Sequence, residues 1–123
     1  MAPFVLWKGT KRVVCGNDIE FVENIEIEGD VLGACWEEEN SRGVQTVFYR
    51  TPGGMIVVHR IHWSRWENEA TIANVFIFHS LEDAEAMFWW ELEQAGIVPC
   101  QTVTLAPVDL ERVHREVRDE TPV

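Results

Sequence analysis

The alternation of apolar and polar positions divides the chain into several runs of period two, followed by one run of period 3.6. The most regular is Ile19 to Val31. There Ile19, Phe21, Ile25 and Ile27 fall on one side and Glu20, Asn24, Glu26 and Glu28 on the other, which predicts a half-buried strand or pair of strands. Val22 and Glu23 break the pattern together, predicting a bend or bulge at that point. Val31-Leu-Gly-Ala-Cys-Trp36 continues as strand, and the segment from Glu37 to Gly43 reads as a polar loop. Upstream, Phe4–Trp7 and Arg12–Cys15 read as short strands around a turn at Lys8-Gly-Thr-Lys11.

Downstream, Gly43–Arg50 and Met55–Trp63 are strand-like runs joined by Thr51-Pro-Gly-Gly54, either as a two-residue type II turn or as a longer loop. Met55, Val57, His59, Ile61 and Trp63 share one face of the second run; Ile56, Val58, Arg60 and His62 share the other. Both faces are partly apolar, so this strand is expected to be covered on both sides and central in the sheet. A polar turn, Ser64–Ala70, precedes another strand, Ile72–His79. Ser80 is then a good helix N-cap with Asp83 three residues on, and Gly96 and Pro99 end the helix. Leu81, Ala84, Phe88, Leu92 and Ala95 form its apolar stripe; Trp90 falls about 180° away, on the face expected to meet water, with Met87 beside it. Ile97–Leu105 has strand character, Pro107–Arg118 reads as a short helix and residues 119–123 as a frayed tail. The fold class expected is α+β: one domain over residues 1–118, with an antiparallel sheet of about five strands, the main helix on one face and a short C-terminal helix.

Three segments, Phe48-Tyr-Arg-Thr-Pro-Gly-Gly-Met, Trp63-Ser-Arg-Trp66 and Ser80-Leu-Glu-Asp-Ala-Glu-Ala, occur in an order that resembles a loose group of small bacterial proteins carried on mobile elements. The resemblance spans roughly residues 44–96 and implies a β-β-β-α order without implying an activity. The Pro-Gly-Gly turn and the Phe88-Trp-Trp of the helix depart from that group's pattern.

Charge changes the picture most. A net charge of −11 makes nucleic-acid phosphates and anionic membranes poor partners, and favours a protein partner with a basic surface. The charges are also segregated: residues 13–41 carry acids and no Lys or Arg, residues 42–66 carry only Arg42, Arg50, Arg60 and Arg65, and Glu67–Glu93 is acidic again. The alternation places Glu20, Glu26 and Glu28 on one exposed face, where such a partner would contact them.

Catalytic and metal chemistry find little support in the residue pattern. His59 and His62 are three apart on a strand and point to opposite faces, so they cannot chelate one ion together. Cys15, Cys35 and Cys100 are odd in number and form no Cys-x-x-Cys pair, which predicts reduced thiols in a cytoplasm, with no metal and no cofactor. No apolar run approaches the roughly 18 residues of a spanning helix. Six tryptophans in so short a chain are the stronger signal, because Trp and Arg concentrate at interface hot spots. The expected function is therefore a small acidic, non-enzymatic protein-binding module of inhibitor, immunity or regulatory type. Trp90, Met87, Glu20, Glu26 and Glu28 are the candidate partner-binding residues, and a homodimer through Trp90 is one way to cover that residue. The alternative is a small-molecule or catalytic pocket between sheet and helix, lined by His59, Trp63 and Trp66.

Overall fold

Five antiparallel strands are each hydrogen-bonded to the next, and the fifth returns to the first, closing a barrel. The computed structural model describes residues 2–97; the strand expected at 97–105, the helix expected at 107–118, Cys100 and the tail lie outside the described residues, Ile97 excepted. The strands are β1 (Ala2–Val14), β2 (Asn17–Glu39), β3 (Arg42–Arg50), β4 (Ile56–Ser64) and β5 (Thr71–Phe78), followed by the helix α1 (Leu81–Gln94). The five antiparallel strands and the helix agree with the sequence. The closure does not follow from alternation alone, which says which face is buried but not whether a sheet's edges meet.

Two expected loops give way to strand, with the reversals made in tight hairpins. The turn anticipated at Lys8–Lys11 is continuous strand, and β1 reverses at Cys15-Gly16. The polar segment 37–43 is also strand, reversing at Asn40-Ser41. Both pairs of turn residues have positive φ, the type I′ pattern whose twist matches that of the flanking strands. A run of glutamates is thus carried by β2 itself rather than by a loop. The β3–β4 connection is the longer alternative: Thr51 N–H donates to the Met55 carbonyl, and Gly54, at positive φ, donates to Thr51.

β2 serves two partners in succession, pairing with β1 over Asn17–Gly29 and with β3 over Asp30–Glu39. Its bulge lies at Leu32, between Val31 and Gly33, rather than at Val22–Glu23. The β1–β2 register runs unbroken through Val22 and Glu23, and the unusual backbone is on the neighbouring strand, where Gly9, opposite Val22, holds a φ of 126°. A Cβ on Gly9 would collide with the Phe21 carbonyl, so this close crossing requires glycine.

β4 is covered on both faces, as the sequence indicates, and so is its neighbour β3. Phe48, Ile56 and Val58 face outward and pack with Ala84, Phe88 and Leu92 of α1, supported by Phe76 and Phe78. Tyr49 and Val57 face inward and fill the barrel with Leu6, Phe4, Ile27, Val47 and Val75. The helix therefore lies outside the barrel. Ser80 caps it by accepting from the Asp83 N–H at 3.2 Å. Gly96, at φ 77°, closes its C-terminus in a Schellman motif, with Gly96 N–H donating to Glu93 and Ile97 N–H to Leu92.

The seam between β1 and β5 is short. Only Gly9–Lys11 pair with Thr71–Ala73. Further along, His59 reaches across from β4, and its Nε2 donates to the Trp7 carbonyl at 2.7 Å. The imidazole thus satisfies a backbone acceptor that the β1–β5 ladder does not serve.

Candidate functional site

The features with chemical potential gather at one end of the barrel, where the β4–β5 loop (residues 65–70) sits between the two type I′ hairpin tips. Backbone bonds hold it there: Asn68 N–H donates to Val13 at 2.8 Å and Arg65 N–H to Ser41 at 3.0 Å. Glu67 accepts from the Gly16 N–H at 3.0 Å, and the Trp66 indole N–H donates to the Asn40 carbonyl at 2.9 Å. The loop separates two open grooves. One, of about 570 Å³, runs beside the β1–β2 tip and includes Lys11, Arg12, Ile19, Glu20 and Trp66. The other, of about 660 Å³, runs beside the β2–β3 tip and is lined by Glu37, Glu38, Glu39, His62, Trp63 and Glu69 among others.

Aromatic and cationic groups are layered around the second groove. Trp36 on β2 and Trp63 on β4 stack with ring centroids 5.7 Å apart and planes at 41°. The Trp63 ring lies over Gly43 on the intervening strand, where a Cβ would overlap the indole and the Glu37 carbonyl. The Arg65 guanidinium sits 4.8 Å from the Trp63 ring centroid and 3.3 Å from Glu38. Arg42 grips Glu69 with two parallel bonds, Nε to Oε1 at 2.5 Å and Nη2 to Oε2 at 2.6 Å. That grip, with help from the Ser64 hydroxyl, holds the Glu69 carboxyl below its ordinary pKa. His62 is pushed below the ordinary imidazole value by partial burial and by Arg60 beside it.

Searches against family models, curated proteins and solved structures found no match for this chain. The site is therefore defined by its own geometry.

The structure distributes the sequence-derived candidates among several places. Glu20 and Trp66 line the first groove, and Trp63 lines the second. His59 is not with them: it is buried in the barrel, its ring edge-on to Trp7, and burial depresses its pKa. The space between sheet and helix, where the alternative reading puts a pocket, is packed with Phe48, Ile56, Val58, Phe76 and Phe88. Glu26 and Glu28 are exposed as expected, but they pair across from Val5 and Pro3 at the start of β1 rather than beside the grooves.

Trp90 is half-buried, and it is Trp89 that is 60% exposed, beside an exposed Met87. The helix is irregular just before them: Phe88 has φ −123° and ψ 32°, outside the helical region, although Leu92 beyond it stays on the buried stripe. Phe21, expected to face inward with Ile19, is 75% exposed in the outer part of the β1–β2 hairpin. Trp36 is the functional candidate that sequence reasoning missed. Its signal was available: Trp36, Glu38 and Trp63 share a face once the 37–43 segment is strand rather than loop. Among the described residues no cluster of three metal-ligating side chains occurs, and no helix is long and apolar enough to cross a membrane.

Proposed function

We propose that this chain is a non-enzymatic protein-binding module that takes a basic partner at the barrel end. The observation that carries the reading is the Trp36–Trp63 stack. Trp36 remains 55% exposed although it is large and apolar, and it stands beside a groove bordered by the consecutive carboxylates Glu37, Glu38 and Glu39. An exposed aromatic anchor flanked by arginine is the usual composition of an interface hot spot. Surplus acid around it supplies complementarity to a cationic surface and speeds encounter.

The test is affinity capture from the native cell with wild type, Trp36→Ala and the double variant Glu37→Gln/Glu39→Gln, followed by binding measurements on the captured partner. Both variants are expected to lose the partner, and the wild-type affinity is expected to fall as salt rises. A partner held equally by all three proteins, or held independently of salt, would overturn the proposal.

A further inference from the structure

We propose that the free edge of β5 from Asn74 to Phe78 is a strand-addition site, and that its occupant is an extended partner segment alternating basic and apolar residues. The edge runs away from the barrel-end grooves, so the inference stands apart from the reading given to Trp36.

The short seam defines the edge. β1 and β5 pair only at Gly9–Lys11 and Thr71–Ala73, after which the ladder between them stops. β5 stays paired with β4 as far as Phe78, and β1 with β2 back to Ala2. Among the described residues neither of these stretches has a strand on its other side. An open groove of about 520 Å³ marks the fork, lined by Lys8, Gly9, Ala73 and Asn74 with Phe21 and Val22 beside them. Along such an edge alternate N–H and C=O groups point outward, and an extended backbone is the partner that satisfies both.

The two sides of the fork differ. β1 carries Pro3 and Lys8, residues that discourage pairing, and His59 already occupies the Trp7 carbonyl. β5 has no such protection. Asn74-Val-Phe-Ile-Phe78 contains no charge and no proline, its register with β4 is unbroken, and Ile77 is 56% exposed. An apolar edge without a guarding charge is the kind that recruits another strand.

The surroundings state the chemistry of the occupant. Side chains that it turns inward meet Phe4 and Leu6 of β1 and Val75 of β5, which calls for apolar residues. Side chains that it turns outward have carboxylates on both flanks. Glu26 and Glu28, paired across from Val5 and Pro3, are exposed on one flank, and Glu82 and Asp83 open α1 on the other. None of these four acids is in an ion pair among the described residues, and Lys8 at the fork is held by Glu23. The same acids, with a net charge of −11 on each copy, disfavour a second copy of this chain as the occupant.

The experiment titrates the full chain with a blocked Lys-Val-Lys-Val-Lys-Val-Lys peptide and reads amide hydrogen exchange residue by residue. Protection is expected to appear at alternate amides between Asn74 and Phe78, with β3 unchanged. A peptide with glutamate for lysine, and one with proline at its centre, are expected not to bind. Ile77→Lys is expected to weaken the peptide about tenfold, through lost apolar contact and like charge at an exposed position. Glu26→Gln/Glu28→Gln is expected to weaken it and flatten its salt dependence, whereas Trp36→Ala leaves it unchanged.

Four outcomes would overturn the inference. Binding of the proline peptide as tight as that of the parent would remove the strand, and unchanged affinity in Ile77→Lys would remove the edge. Protection of the same amides in the free chain at every protein concentration would mean that the chain's own segment beyond Ile97 fills the site. Protection that grows with protein concentration would assign the edge to a second copy.

Discussion

His59 joins the inside of the barrel to its seam, and its chemistry makes the fold sensitive to acid. Burial lowers its pKa from the ordinary 6.5, outweighing the opposite effect of its bond to the Trp7 carbonyl. A base with a depressed folded pKa binds its proton more readily in the unfolded chain. Stability is therefore complete above about pH 6.5 and falls as pH drops from there through the lowered folded value. Urea midpoints measured across that interval are expected to decline for wild type and to decline less steeply for His59→Gln. Gly43 is the second residue with a sharp requirement, since the Trp63 ring occupies the place of its missing Cβ. Gly43→Ala is expected to displace Trp63 and weaken the near-ultraviolet circular dichroism of the Trp36–Trp63 pair. An unchanged spectrum would mean that the strand yields instead.

Among the elements, α1 was the most legible from sequence. Ser80, the Leu81/Ala84/Phe88/Leu92 stripe and Gly96 sit where spacing places them, because caps and stripes are local properties. Phe88 bears most of the packing, meeting Phe48, Phe76 and Phe78 at centroid distances of 6.3, 5.1 and 5.9 Å. Phe88→Ala is expected to cost about 3–5 kcal/mol in equilibrium unfolding, against about 1 kcal/mol for Ser80→Ala. Similar losses for the two would show that the helix contributes little to the core. The strands were legible as faces but not as boundaries. Acid-rich Glu37–Glu39 reads as loop because its polarity outweighs its alternation, and Cys15-Gly16 lacks the Asn-Gly sequence that usually marks a two-residue turn. The candidate site was hidden by the same error. Trp36, Trp63 and Arg65 converge only after β2 is extended past Trp36 and paired through β3 to β4.

At the scale of the whole molecule, charge segregation in the chain becomes a sided surface at the barrel end. Three glutamates of β2 line one groove with Glu69 and Arg42, whereas along the other Lys11, Arg12 and Arg65 stand among Asp18, Glu20, Glu67 and Glu69, so the first groove is the more acidic of the two. Association with a basic partner is expected to weaken steeply with added salt as the screening length falls toward about 8 Å. Reversing charge with Glu37→Lys and Glu39→Lys is expected to abolish the salt dependence together with the binding. A fall in the dissociation rate instead would contradict the assignment. The three-pair seam has a further consequence, in time rather than in space. Gly9 and Ala73 stand about 60 positions apart in the chain, whereas β2–β3, β3–β4 and β4–β5 each close across a local turn. The meander can assemble from neighbours, but the ring closes only after the longest loop has lost its entropy. Thr10→Ala and Ile72→Ala are expected to speed unfolding and to leave the folding rate almost unchanged, which stopped-flow chevrons would read directly. The last hydrogen bonds to form would then be the first to break.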